Sequence, residues 1–176
     1  MAKLRQIAQL GAAILRQQAR EISDPAATNV QELIADLQAT LTDSNGVGLA
    51  APQIYEPWRI VIVTSRPTPR YPHAPTMLPI IMINPTFQPF STTQEKDWEG
   101  CLSIPGIPAL VPRYTEIEVS YIGSDGNSMQ QRLKGFPARV FQHEYNHLDG
   151  LVYLDRVENN RDIISEKEYL KQFAKA

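Results

Sequence analysis

The chain has 176 residues, enough for a substantial hydrophobic core, and we expect a single domain over residues 1–176. Its apolar fraction of 43% and charged fraction of 20% are typical of globular proteins, and the net charge of −2 argues against a nucleic-acid partner. The single cysteine excludes an intramolecular disulfide and no apolar run is long enough to span a bilayer, so we expect a cytoplasmic protein with no membrane partner.

The first predicted element is a helix over residues 28–43. Apolar residues recur there at intervals of three and four and form one face: Val30, Leu33, Ile34, Leu37 and Leu41. Thr28 and Gln31 have the spacing of a capping box at the N-terminus of this helix. The turn sequence Asp43-Ser44-Asn45-Gly46 predicts its end.

Short runs rich in β-branched and aromatic residues follow and predict strands at residues 59–64, 80–84 and 116–122. The last run alternates apolar and polar residues, and a glycine-containing turn at 123–127 connects it to residues 128–134, which predicts a β-hairpin. Residues 65–79 contain five prolines and are therefore predicted to form a loop with little regular structure.

A second helix is predicted over residues 136–148, with Pro137 in the first turn, where a missing N–H is least costly. Ser165 and Glu168 form another capping-box pattern, which predicts a short helix near the C-terminus. The predicted fold class is α+β. Small antiparallel sheets would pack around the central helix 136–148, with further helices toward the N-terminal and C-terminal ends.

The central helix contains the pattern HExxH, formed by His143, Glu144 and His147. Two histidines four residues apart lie about one helical turn apart, so both imidazoles can bind the same metal ion. Glu144 follows the first histidine and can reach a water molecule on that ion without being a ligand. The pattern therefore predicts a metal site that performs hydrolysis.

Catalytic sites of this kind usually have three protein ligands, and residue patterns alone leave the third one open. His73 lies in the proline-rich loop without geometric support. Cys101 would be a strong thiolate ligand, although a free cysteine is commonly a small buried apolar residue. The small-residue segment 46–53 is too irregular for a phosphate-binding loop.

Three segments occur in one order along the chain: Gly46-Val47-Gly48-Leu49-Ala50-Ala51-Pro52-Gln53, Glu99-Gly100-Cys101-Leu102-Ser103, and Gln142-His143-Glu144-Tyr145-Asn146-His147-Leu148-Asp149-Gly150. Together they resemble the signature motifs GxGLAAPQ, EGCLS and QHExDHLxG of the peptide deformylase family, and the resemblance covers most of the chain. It implies that Cys101 is the third metal ligand. Asn146 is a departure, because the family commonly has aspartate there; asparagine keeps a hydrogen-bond acceptor but loses the charge.

The resemblance implies a metal-dependent hydrolase that removes the N-formyl group from the initiator methionine of nascent polypeptides and releases formate. The implied ligands of one divalent ion are Cys101, His143 and His147. In this family the ion is typically Fe²⁺, and Zn²⁺ or Ni²⁺ can replace it. Glu144 would be the general base and then the general acid. The Gln53 side chain and the Leu102 backbone N–H would donate hydrogen bonds to the oxyanion.

The residues expected to contact substrate are Gly46, Val47, Gly48, Phe136 and Val140. The two glycines would leave room for an extended peptide, and the other three would line an apolar pocket for methionine, with ordinary core packing as the alternative for Phe136 and Val140. Glu99 and Asn146 are expected to support the metal ligands from behind, and a solvated loop charge is the alternative for Glu99. We expect a monomer that acts on N-formylmethionyl peptides near the ribosome, in a bacterial-type cytoplasm or inside an organelle.

An HExxH metallopeptidase that cleaves internal peptide bonds is the alternative function. Its third ligand would be a downstream histidine or glutamate. No histidine follows His147, which leaves only acidic candidates: Glu158, Glu166 and Glu168. A peptide-binding module without catalytic activity is a different class of hypothesis. It predicts a damaged metal or base position, and the motifs contain none.

Overall fold

The computed structural model describes residues 2–68 and 70–173, so Met1, Pro69 and residues 174–176 of the predicted domain lie outside the described residues. The helices are α1 (Thr28–Asp43), α2 (Gly135–Leu148) and α3 (Glu166–Gln172). The strands are β1 (Gly48–Ala50), β2 (Ile60–Ser65), β3 (Met77–Pro89), β4 (Gln94–Cys101), β5 (Ile104–Tyr114), β6 (Glu116–Ile122) and β7 (Ser128–Lys134). Within the described part of the chain, no helix is both long and apolar enough to cross a membrane.

The strands form two antiparallel sheets. The larger sheet has five strands in the order β1-β2-β3-β6-β7, and β4 pairs with β5 in a two-stranded ribbon. Strand β2 is buried along its whole length because both faces of the large sheet are covered there. Val61 and Val63 pack with the core residues of α2, whereas Ile60 and Ile62 pack with those of α1. The large sheet is therefore held between α1 and α2.

The predicted α+β fold class is confirmed, and three predicted elements agree closely with the structure. Helix α1 has the predicted bounds, α2 begins one residue earlier than predicted, and the hairpin of β6 and β7 pairs Val119 with Gln131. Helix α3 is present as well, and the Ser165 hydroxyl accepts a hydrogen bond from the Glu168 N–H, as the capping pattern predicts. These elements have strong local signals, which explains the agreement.

The capping box predicted for α1 is wrong. Ala27 is the N-cap residue, so Thr28 is already the first residue inside the helix and does not cap it. The Gln31 side chain donates instead to the carbonyls of Pro25 and Ser124, at 2.8 and 3.1 Å. The spacing of the pattern was present, but the chain enters the helix one residue earlier than the pattern requires.

The strand predictions were incomplete. Strand β3 extends well beyond the predicted 80–84 and continues through an irregularity between Ile83 and Thr86, where Asn84 has a positive φ of 48°. The Asn84 side chain bonds both the N–H and the carbonyl of Ile22, which holds this backbone in place. Strand β2 ends at Ser65 and β3 begins at Met77, so each strand includes residues from one end of the predicted loop 65–79.

Strands β1, β4 and β5 were not predicted. Strand β4 is largely polar and exposed, so it lacks the apolar alternation that marks a half-buried strand. Strand β5 contains Pro105, Pro108 and Pro112, which cannot donate to a ladder. Proline is tolerated at sheet edges, and both strands of a two-stranded ribbon are edge strands. The ribbon could therefore form despite its sequence.

Helix α2 packs against strands of both sheets. On one side, Val140, Phe141 and Leu148 lie in the core beneath the large sheet. On the other, the Gln142 side chain bonds both the N–H and the carbonyl of Tyr114 at the end of β5, at 3.0 and 2.9 Å. Gly150, with a φ of 72°, follows the helix and passes against the backbone of Arg16. These contacts set the position of α2 relative to the ribbon.

Candidate metal centre

The packing of α2 against the ribbon brings three residues together. Cys101 is the last residue of β4, and His143 and His147 lie one turn apart on α2. One candidate ligand atom from each residue lies within 4.8 Å of the other two, and Cys101 Sγ is 3.4 Å from His147 Nε2. The three residues that the sequence motifs single out therefore form a metal-binding cluster.

Glu99 lies directly behind this cluster and is only 3% exposed. Its carboxylate accepts two hydrogen bonds from Arg113, at 2.8 and 3.0 Å, and is 2.9 Å from His143 Nδ1. Burial raises the pKa of Glu99, but the charge of Arg113 and the hydrogen bond from His143 outweigh it and hold the pKa well below its usual range. An ionised Glu99 orients the His143 ring so that Nε2 faces the cluster.

Asn146 also contacts Arg113, whose guanidinium donates to its side-chain oxygen at 2.6 Å. The buried arginine is thus held between Glu99 on the ribbon and Asn146 on α2. An aspartate here would add a negative charge beside Arg113, but Glu99 already supplies the carboxylate partner. The departure from the family motif therefore leaves the hydrogen bond to Arg113 intact.

Arg139 is a further member of this network that sequence reasoning missed. It is 8% exposed and donates to Glu99 at 3.0 Å and to the Val111 carbonyl at 2.8 Å. Arg139 lies four residues before His143, so both side chains leave the same face of α2. That spacing was the signal that could have identified it.

The donor set suits a divalent metal ion. One thiolate and two imidazoles are ligands that Zn²⁺ and Fe²⁺ accept in proteins. Burial lowers the pKa of His143, but the combined effect of Cys101, Glu99 and Glu144 around the ring is larger and raises the pKa well above its usual range. Burial and the nearby His143 lower the pKa of His147, which favours the neutral form that binds a metal. The raised pKa of His143 shows that its surroundings favour a positive charge, and a metal cation would supply that charge in place of the proton.

Glu144 lies beside the cluster, 4% exposed. Among the described residues its Oε2 atom has no hydrogen-bond partner. Burial, with a smaller contribution from Glu99, raises its pKa to about 7, although His143 opposes the shift. Its carboxylate also packs against Gly48, where an added Cβ would come within 2.8 Å of Glu144 Cδ. Gly48 is therefore needed to leave space for the Glu144 side chain.

The Gln53 side chain is fixed in orientation. Its oxygen accepts from the Ala50 N–H at 2.9 Å, so its NH₂ group faces the cluster and donates to Ser103 Oγ at 3.2 Å and to Cys101 Sγ at 3.5 Å. An amide donor thus lies next to the proposed third ligand. Leu102 follows Cys101 in the chain and lines a cavity beside the cluster.

A cavity of about 470 Å³ opens beside the cluster. All five residues predicted to contact substrate line it, and so does Glu144. Arg70 and Tyr71 of the proline-rich loop and three residues of α3 line it as well, and of these five only Glu166 had been predicted at the site, as a ligand in the alternative function. The alternative acidic ligands Glu158, Glu166 and Glu168 are not part of the Cys101, His143 and His147 cluster.

This thiolate and imidazole cluster beside a buried carboxylate, on an α+β fold with an HExxH helix, defines a metal-dependent hydrolase. A family model described as polypeptide deformylase matches residues 4–162. The chain therefore belongs to the polypeptide deformylase family.

Individual relatives agree with this assignment. Peptide deformylase 2 of Nostoc sp. (strain PCC 7120) is 52% identical over 163 residues, which are 93% of this chain and 91% of that protein. Peptide deformylase 2 of Shewanella oneidensis is 43% identical over 150 residues, which are 85% and 82% of the two chains. The resemblance predicted from the three motifs is thus confirmed.

Solved structures show the same fold. A class I type b peptide deformylase from Acinetobacter baumannii with Met-Ala-Ser bound matches with a TM-score of 0.86 and 38% identity, over 89% of this chain and all of that one. Peptide deformylase from Thermotoga maritima matches with a TM-score of 0.79 and 30% identity, over 89% and 99%. The chain is accordingly an enzyme that removes the N-formyl group from nascent polypeptides, and cleavage of internal peptide bonds is not favoured.

Proposed function

We propose that Cys101, His143 and His147 hold one divalent ion and that Glu144 acts on the water that attacks the formyl group. The observation that carries this proposal is the position of the buried Glu144 carboxylate beside the three-residue cluster, at the cavity. Fe²⁺ is the proposed ion, with Zn²⁺ and Ni²⁺ as replacements, because all three accept sulfur and nitrogen donors. When bound, such an ion acidifies water and polarises a carbonyl oxygen.

The proton path in this proposal runs through Glu144. Its carboxylate takes a proton from the attacking water and later gives it to the departing amine of methionine. A pKa raised to about 7 suits both roles, since the group can accept and release a proton near neutral pH. Gln53 and the Leu102 backbone N–H are the proposed donors to the oxyanion, and the orientation of the Gln53 amide toward Cys101 supports its part.

The methionine side chain would enter the apolar part of the cavity, formed by Val47, Phe136 and Val140. The peptide beyond methionine would lie along Gly46 and Gly48. The Met-Ala-Ser tripeptide bound to the Acinetobacter baumannii relative supports a site for methionine followed by an extended peptide. Glu99 would act through its contact with His143, and Asn146 through its hydrogen bond with Arg113.

We propose further that residues 1–176 form one domain and act as a monomer on N-formylmethionyl peptides near the ribosome, in a bacterial-type cytoplasm. The family match over most of the chain supports the single domain. The net charge of −2 supports contact with nascent peptide rather than with nucleic acid.

The test of this function is formate release from formyl-Met-Ala-Ser by Fe²⁺-loaded protein under anaerobic conditions. We expect formate to appear in a one-to-one ratio with free Met-Ala-Ser and no cleavage between methionine and alanine. Unformylated Met-Ala-Ser is the control. Cleavage of an internal bond with the formyl group still attached would favour a metallopeptidase instead.

Asn146→Asp tests the departure from the family motif. We expect kcat/KM to change less than about tenfold, because Arg113 keeps a hydrogen-bond partner in either form and is already paired with the Glu99 carboxylate. Loss of a hydrogen bond that supports a metal ligand typically changes metal affinity by about 10–100-fold, and this substitution keeps the bond. Metal content and formate release, measured side by side, check this expectation; a gain in activity well above tenfold would contradict it.

A further inference from the structure

Tyr71 is an aromatic residue of the proline-rich loop that lies at the wall of the catalytic cavity. Its ring packs on Phe136 with a centroid distance of 4.3 Å, and its hydroxyl donates to the Trp98 carbonyl on β4. Phe136 is one of the residues proposed to contact the methionine side chain. The Tyr71 ring therefore supports that pocket through Phe136.

The loop holds Tyr71 in this position through several contacts. The Tyr71 backbone exchanges hydrogen bonds with that of Thr68, at 3.0 and 3.1 Å, and the Ala74 N–H donates to the Tyr71 carbonyl at 3.2 Å. The neighbouring Arg70 pairs with Glu166 of α3 at 3.0 Å and lies over the Tyr169 ring. The loop backbone thus holds Tyr71 in place, and α3 holds the adjacent residue Arg70.

A second cavity, of about 350 Å³, lies on the far side of this wall. Four side chains line both cavities and form the partition between them: the Tyr71 and Phe136 rings and the charged side chains of Arg70 and Arg139. Removing the larger part of the Tyr71 ring would take away one of the side chains that separate the two spaces. The two rings are the aromatic members of this partition, and they bound the catalytic cavity on that side.

We propose that Tyr71 is a specificity-determining residue that closes the end of the methionine pocket. The inference rests on the proposed function, because it takes the apolar part of the cavity as the site of the first side chain after the formyl group. In the native chain the Tyr71 ring limits that site to a flexible side chain of methionine length. Bulkier first residues are excluded by contact with this ring.

The experiment compares kcat/KM for formyl-Phe-Ala-Ser and formyl-Met-Ala-Ser in Tyr71→Ala, Tyr71→Phe and Tyr55→Ala. A single methylene in an apolar pocket changes discrimination by about 10–200-fold, so we expect Tyr71→Ala to raise the Phe-to-Met ratio at least about tenfold. Tyr71→Phe keeps the ring and should leave the ratio within about threefold. Tyr55→Ala is the matched control, because Tyr55 is an exposed tyrosine that lines neither cavity.

An equal loss of kcat/KM for both substrates in Tyr71→Ala, with the ratio unchanged, would overturn the proposal and leave Tyr71 a purely structural role. If Tyr71→Ala does not fold, Tyr71→Leu takes its place, with an expected rise of at least about threefold. Calorimetric Kd values for Met-Ala-Ser and Phe-Ala-Ser give a readout that needs no turnover. A wild-type chain that releases no formate would refute the proposed function, whereas an unchanged Kd ratio in the variant would refute the pocket assignment alone.

Discussion

Glu144→Gln is expected to lower kcat/KM for formyl-Met-Ala-Ser at least about 10³-fold while the bound metal is retained. General acid–base catalysis contributes about 10²–10⁴-fold, and the amide can neither take nor return the proton. The ligand atoms belong to Cys101, His143 and His147, so the metal cluster loses no donor. Folding should not suffer, because the amide has the shape of the carboxyl group and carries no charge that burial would penalise.

Formate release, elemental analysis of the metal and a thermal melt measure these three expectations on the same preparation. Glu32→Gln is the matched control, because it makes the same substitution at an exposed position of α1. Turnover within about tenfold of the wild type would mean that another group takes the proton. Loss of metal from Glu144→Gln would instead mean that the carboxylate is a ligand.

Cys101→Ala is expected to weaken metal binding more than about 100-fold. Even residues that only support a ligand typically contribute about 10–100-fold to metal affinity, and this change removes a ligand outright. The two histidines that remain cannot complete the three-ligand set that catalytic sites of this kind use. Activity should fall together with metal content because the water-activating ion is lost.

Elemental analysis after dialysis against a fixed concentration of the metal measures this effect without reference to turnover. His73→Ala is the matched control, because His73 is the one other histidine of the sequence and is exposed in the proline-rich loop. We expect it to retain the wild-type metal content. Full occupancy in Cys101→Ala, or loss of metal in His73→Ala, would show that the third ligand had been assigned to the wrong residue.

The metal ligands could be predicted because their signals are short and chemical. HExxH places His143 and His147 on one face of a helix through helical geometry alone. Cys101 needed more, since a lone cysteine is usually a small apolar residue, and only the three motifs together favoured it. Helix α1 and the hairpin of β6 and β7 could be predicted for a similar reason, because their apolar periodicity is local.

Other features depend on residues far apart in sequence. Nothing near Glu99 in the chain predicts that Arg113, Arg139 and His143 would all converge on its carboxylate. The proline-rich loop had no periodicity to read, yet it places Tyr71 against Phe136. The ribbon of β4 and β5 was not predicted because neither strand has the sequence pattern of a strand. It is stabilised by pairing between the two strands and by contact with α2.

The glycine of the first motif illustrates the same division. The amino-acid sequence predicted close approach at Gly48, and it predicted the two histidines and the cysteine of the metal-binding cluster. The tertiary structure shows which group approaches Gly48. The Glu144 carboxylate occupies the space that a side chain at position 48 would need. Residue type limits which chemistry a side chain can perform, and local periodicity limits its secondary structure. Which groups meet in a buried site depends on long-range packing, and packing is a property of the whole chain.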